Sequence, residues 1–212
     1  MADLTAFSDN QLDAIREVGN IGTGNAATAL SSLLSCMIHM NVPTTELVSI
    51  YELAEHYGDP LQTVGAVFVR SSGSFQCSLI FIQPEQDALK LVELLLNHQF
   101  GSFIPYSELP PEITDSALSE VGNIVLSSFL NAINMLLGTQ HQISVPGVAH
   151  DMLSSILDVV ASIYGQLGET ALLVNTELSV EGLDDGRRIS GHIILIPDPD
   201  SLNLLLEKLK VI

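Results

Sequence analysis

The chain has 212 residues, 47% of them hydrophobic and 15% charged, which is enough to bury a sizeable core and too apolar for a disordered segment. Seven basic residues against 25 acidic ones give a formal net charge of −18, so nucleic acid and anionic membrane surfaces are excluded as partners by repulsion. The acidity either attracts a protein partner with a basic patch or serves solubility alone.

No Trp and 5% aromatic residues predict a core of Leu, Ile, Val and Ala. Met1 to Asn10 has neither a basic start nor an apolar run, so no signal peptide is expected. No stretch approaches the roughly 20 apolar residues of a membrane span. Cys36 and Cys77 stand apart, without CxxC or Cys-His spacing, and read as two reduced, packed thiols. The expected location is the cytoplasm.

The first predicted helix opens at Ser8, with Gln11 completing a capping box and Phe7 stapled onto Leu12. At 100° per residue, Leu12, Ile15, Gly22, Ala26, Leu30 and Leu33 share one side; Asp13, Glu17, Asn20 and Gly24 share nearly the opposite one. The pattern runs to about Ser35. Cys36 to Pro43 reads as a strand, and Thr44 to Asp59 as a mixed segment with a short helical tendency. Gln62 to Val69 and Ser74 to Ile82 are β-rich runs turning at Ser71-Ser72-Gly73. Glu85 to Asn97 carries a helical stripe of Leu89, Val92, Leu95 and Leu96.

Phe100 to Pro111 reads as a linker whose Pro110-Pro111 pair suits entry into a helix. Leu118, Val121, Val125, Phe129 and Ile133 are the apolar side of that helix; Ser116, Glu120, Asn123 and Ser127 are the other side. Gln142 to Val148 is the next strand and Asp151 to Gln166 a helix. Ala171 to Val180 and Arg187 to Ile196 form a hairpin turning at Gly182 to Gly186, and Ser201 to Lys210 is a final helix.

The order helix, strand, hairpin, helix therefore occurs twice, over about 7–99 and about 108–212. This predicts an α+β fold from an internal duplication. Three strands per half pool into one sheet with long helices packed on it, related by a pseudo-twofold axis, as a single domain spanning 1–212.

One pattern recurs 103 residues apart: Asp or Ser, three residues, Glu, two residues, Asn, twenty-two residues, Pro. The first copy is Asp13, Glu17, Asn20 and Pro43; the second is Ser116, Glu120, Asn123 and Pro146. On a helix, Glu and Asn at i, i+3 share a face, and Asp13 or Ser116 lies one turn earlier. A solvated face needs acidity but not an Asn at fixed register. Asn cannot act as a general base, though its amide can orient a water, and Glu can accept a proton or pair with Lys. Such a set is incomplete alone and suits phosphoryl transfer, in which positioning and charge stabilisation suffice if a partner brings metal and electrophile.

Other motifs are weaker. Gly19-Asn-Ile-Gly22-Thr-Gly24 lies within a helical pattern rather than between strand and helix, so close helix packing explains it better than phosphate binding. His39, His56, His98, His141, His150 and His192 lack metal-ligand spacing. Ser127-Ser128 and Ser154-Ser155 lack a nucleophile-elbow context.

The two complete motifs resemble those of the CheC family of chemotaxis phosphatases, relatives of CheX and FliY, over almost the whole chain. The resemblance implies hydrolysis of the phosphoaspartate of the response regulator CheY. It implies that Asn20 and Asn123 orient the attacking water, that Glu17 and Glu120 dock on the regulator's active-site Lys, and that Pro43 and Pro146 shape the neighbouring strand. It also implies that Mg²⁺ belongs to the regulator, that this chain binds no cofactor, and that the deamidase CheD is a second partner. Two motifs in one chain suggest a monomer. The alternatives are an adaptor that binds CheD or the regulator with little catalysis, and a flagellar-switch component.

Overall fold

The first helix begins where its capping residues place it. In the computed structural model, which describes residues 8–42, 44–57, 59–100, 109–165, 170–180 and 188–209, helix α1 spans Asp9–Leu34. The Gln11 side chain accepts the Ser8 N–H at 2.9 Å, satisfying a donor at the helix start. The staple expected from Phe7 lies outside the described residues.

The strand read at Cys36 to Pro43 is divided. Strand β1 spans Ile38–Asn41 and β2 spans Thr45–Ser49. Both pair with β7 (Thr170–Val180), Asn41 facing Glu177 and Thr45 facing Val174. Residues 42–44 thus oppose only Asn175 and Thr176, which is a one-residue bulge. Proline has no N–H for a ladder, so a sheet tolerates it at such a break; Pro43 itself lies outside the described residues. The mixed segment becomes β2 followed by a 3-10 turn, Leu53–His56.

Strands β3 (Thr63–Gly73) and β4 (Cys77–Pro84) form the first hairpin. The turn falls after Gly73, which takes the left-handed φ of 121°, so β3 is longer than read. Helix α2 spans Glu85–Phe100. The linker at 101–108 lies outside the described residues. Helix α3, Pro111–Leu137, starts with Pro111 at its first position and ends at left-handed Gly138.

The second half repeats the division. Strands β5 (His141–Ile143) and β6 (Gly147–Met152) both pair with β3, Ile143 facing Ser71 and Gly147 facing Phe68. Residues 144–146, ending in Pro146, therefore oppose two. Helix α4 spans Leu153–Tyr164, β8 spans Arg188–Pro197 and α5 spans Pro199–Leu209. The turn read at 182–186 lies outside the described residues.

The eight strands form one antiparallel sheet in the order β1-β7-β8-β4-β3-β5, with β2 also on β7 and β6 also on β3. Exchanging the halves and reading backwards returns the same order. Each half contributes four strands rather than the expected three, because each proline-bearing strand is split. Each half also lends its first two strands to the other half's hairpin.

Both sheet faces are covered, so the central strands read as apolar runs rather than alternating ones. Leu79, Phe81, Ile193 and Leu195 face α1, α2, α3 and α5. Ile80, Ile82, Ile194 and Ile196 face the 3-10 turn and α4, through Leu53, Leu153, Ile156 and Val160. One reading from the sequence is corrected here: α3 is long and apolar enough, by length and composition, to cross a membrane. More than half of its most apolar stretch is buried within the chain, where Val121, Val125, Phe129 and Ile133 join the core, and the core accounts for its hydropathy.

Candidate functional site

Helices α1 and α3 carry the two motif copies and pack on the same face of the sheet. Gly22 of α1 meets the α3 backbone: a Cβ there would lie 2.8 Å from Phe129 Cα. Leu33, near the end of α1, lines one groove with Ile113, Ser116 and Ala117 at the start of α3. The helices therefore run antiparallel, and the two motif copies lie toward opposite ends of the pair.

On α1, Asp13, Glu17 and Asn20 are all exposed, as their spacing requires. Asp13 pairs with Arg16 at 3.0 Å along the helix surface; with both side chains well exposed, this contributes little to stability. Glu17 makes no hydrogen bond or ion pair among the described residues. Asn20 is tied down: its Oδ1 accepts the Val42 N–H at 3.3 Å. Val42 is the first residue of the bulge, beyond the last β1–β7 pair, so its N–H is free of that ladder. The donor lies 22 positions after the Asn, where the β1–β7 ladder has ended.

On α3, Ser116 donates its hydroxyl proton to the Glu112 carbonyl at 2.8 Å. Glu120 is exposed and, with Leu33, Leu95, Leu96, Ile113, Ser116 and Ala117, lines an open groove of about 390 Å³. Asn123 is half-buried, and its Oδ1 accepts the Ser127 hydroxyl proton at 3.3 Å. Ser127 stands on the motif face in sequence, but its bond to Asn123 was not read; the signal was the i, i+4 spacing. The residue 103 positions earlier is Gly24, so Asn20 has no such hydroxyl. Pro146 is half-buried in the second bulge, which is held differently: Ser144 N–H donates to Arg70 O at 2.9 Å and Arg70 N–H to Ser144 Oγ at 3.0 Å. The two sites share a plan but differ in how each Asn is oriented.

Of the glycines beside Asn20, Gly22 is a packing residue, whereas a Cβ at buried Gly19 would meet Phe129 and Val42 only at an ordinary 3.5 Å. Nothing lies within 4 Å of the Cβ position of Gly24, so packing does not account for that one. Among the described residues no group of three His, Cys, Asp or Glu could hold a metal ion.

The CheC-like family model matches residues 11–47 and 113–150, the two segments running from each motif helix to its proline-bearing strands. The chain is 32% identical over 205 residues to the CheY-P phosphatase CheC of Bacillus subtilis, covering 97% of this chain and 96% of that one. The chain belongs to the CheC-like family. This CheC-like chain is also 26% identical over 142 residues to the B. subtilis flagellar motor switch phosphatase FliY, spanning 67% of itself but only 36% of that protein. The CheC-like fold is shared with the crystal structure of Thermotoga maritima FliY, at a TM-score of 0.74 and 22% identity, over 97% of this chain and 98% of that one.

Proposed function

We propose that this chain hydrolyses the phosphoaspartate of a CheY-type response regulator through two active faces, Glu17 with Asn20 and Glu120 with Asn123. Family membership and the nearly full-length likeness to a CheY-P phosphatase support the enzyme class and the substrate. In the reaction, water oxygen bonds to phosphorus, the bond from phosphorus to the Asp oxygen breaks, and inorganic phosphate leaves the regenerated carboxylate. Asn20 and Asn123 would hold the attacking water in line, and Glu17 and Glu120 would pair with the regulator's lysine. The metal would be the regulator's, whose Mg²⁺ neutralises charge on the transferring phosphoryl group. Asp13, Ser116, Pro43 and Pro146 would support these groups rather than react.

The observation that carries this reading is the pairing, on two outward helix faces, of a Glu unengaged among the described residues with an Asn whose Oδ1 is held by one hydrogen bond. One Oδ1 lone pair and the Nδ2 protons of each Asn are unpartnered among the described residues, and these can take a water without reorganising.

The test is decay of phosphorylated regulator with wild type, Glu17→Ala/Asn20→Ala, Glu120→Ala/Asn123→Ala and the quadruple variant. Each double variant should lose part of the activity and the quadruple nearly all. A quadruple variant as fast as wild type would sink the mechanism; slow turnover by wild type together with measurable complex formation would favour the adaptor reading. We further propose CheD as a second partner of a cytoplasmic chain, and a monomer, because one chain already carries two motif copies. Calorimetry with CheD and a sedimentation measurement check those two points.

A further inference from the structure

The bulge at 42–44 is gripped from both faces of the sheet. On the helix face, Val42 is buried in the core beside α1 and donates its N–H to Asn20. At the other end of the bulge, Thr44 is held by Asn175 of β7. The Asn175 N–H donates to Thr44 O at 3.1 Å, and Asn175 Nδ2 donates to Thr44 Oγ1 at 2.5 Å. Asn175 is itself oriented, since its Oδ1 lies 2.6 Å from His192 Nδ1. An amide oxygen only accepts, so the imidazole carries its proton on Nδ1. His192 in turn is packed edge-on against Tyr57, with ring centroids 4.5 Å apart. A line of contacts thus runs from Tyr57 through His192 and Asn175 to Thr44, two residues from Val42.

Extra residues in a strand have no ladder partners to fix them. Without an anchor, the bulge could relax away from α1 and take the Val42 N–H out of reach of Asn20. The second bulge uses other anchors, Arg70 O and the Ser144 hydroxyl, and among the described residues it makes no hydrogen bond with Asn123.

We propose that Asn175 and Thr44 are positioning residues for the first site only: they hold the bulge so that the Val42 N–H fixes the side chain of Asn20. The proposal rests on the phosphatase reading above, and it assigns a role to two residues outside the repeated motif. Neither touches the reacting atoms. Their effect through the orientation of Asn20 belongs in kcat; Thr44 also lines an open groove with Asp13 and Arg16, so a change confined to the KM for the regulator would mark it as a docking contact instead.

The test uses the full chain in two backgrounds, one with Glu120→Ala/Asn123→Ala so that only the first site works, the other with Glu17→Ala/Asn20→Ala so that only the second does. Thr44→Val removes the hydroxyl at constant volume on an exposed residue, and Thr44→Ser restores it. In the first background Thr44→Val should lower kcat about fivefold, the effect of one lost hydrogen bond, with KM unchanged and Thr44→Ser near the parent. In the second background Thr44→Val should change nothing. Amide exchange at Val42 should quicken in Thr44→Val. Equal effects in both backgrounds, no effect in the first, no activity at all in the first, or unchanged Val42 exchange would each overturn the proposal. If the unsubstituted chain itself fails to speed decay of the phosphorylated regulator, the phosphatase reading falls instead, whatever the exchange at Val42 does.

Discussion

Two glycines on one helix, two positions apart, should respond oppositely to the same substitution. Gly22→Ala and Gly24→Ala each gain the intrinsic helix preference of Ala over Gly, about 1 kcal/mol. Gly24 has nothing within 4 Å of its Cβ position, so that gain should appear undiminished. At Gly22 the new methyl would sit 2.8 Å from Phe129 Cα, 3.3 Å from Ser128 O and 3.4 Å from Ala132 Cβ. Carbons in contact normally stand about 3.5–4.0 Å apart, so α1 and α3 would have to part by most of an ångström. Phe129 Cα is backbone and cannot rotate aside, and its side chain is buried in the shared core. Overpacking of this kind costs about 1–3 kcal/mol. Because the propensity gain cancels between the variants, that cost is also the expected stability difference between them, equal to roughly 2–4 °C in Tm per kcal/mol at this chain length. Urea unfolding with both variants and wild type at matched m-values measures it. Gly24→Ala should exceed wild type and Gly22→Ala should fall below Gly24→Ala. If Gly22→Ala proves as stable as Gly24→Ala, the close helix approach is not the reason for the glycine.

Acid should weaken the fold through His192. Burial pushes the pKa of this imidazole down to about 4, against an ordinary value of 6.5. The unfolded chain then binds the proton more tightly, so the stability from the neutral, buried ring is complete above pH 6.5 and lost as pH falls from there toward 4. The full loss is about 3 kcal/mol. The urea midpoint of wild type relative to His192→Phe should narrow across that window, and a gap independent of pH would refute it. The cysteines should also separate by reactivity. Burial raises the thiol pKa of Cys77 strongly and that of half-buried Cys36 less so. A thiol reagent at pH 8 should label Cys36 slowly and leave Cys77 until the chain unfolds. Two equally fast thiols in the folded chain would contradict the burial of Cys77.

The helices and their outward faces were legible because each is a local pattern. Ser8 and Gln11 mark the start of α1, Pro110-Pro111 that of α3, and the 100° spacing separates Ile15 and Leu30 from Glu17 and Asn20. Duplication then made a modest signal specific, since a second Glu and Asn at the same register is not a solubility requirement. The strands beside the prolines were less legible. Thr45–Ser49 falls in a segment that read as mixed with a short helical tendency, and its β-pairing depends on β7, which comes more than 120 residues later.

The repeated motif, the α+β class and the side of each helix that meets solvent follow from the chain read alone, because residues three, four and seven apart on a helix share a face whatever surrounds them. How each Asn is held does not follow. Val42 reaches Asn20 across 22 positions, and Asn175 reaches Thr44 across 131. Those bonds exist because each half lends its outer strands to the other half's hairpin, and nothing in a local pattern encodes that exchange. The same fold makes the two sites unequal: Asn20 is held by a main-chain N–H just past the end of a swapped strand, and Asn123 by a hydroxyl on its own helix.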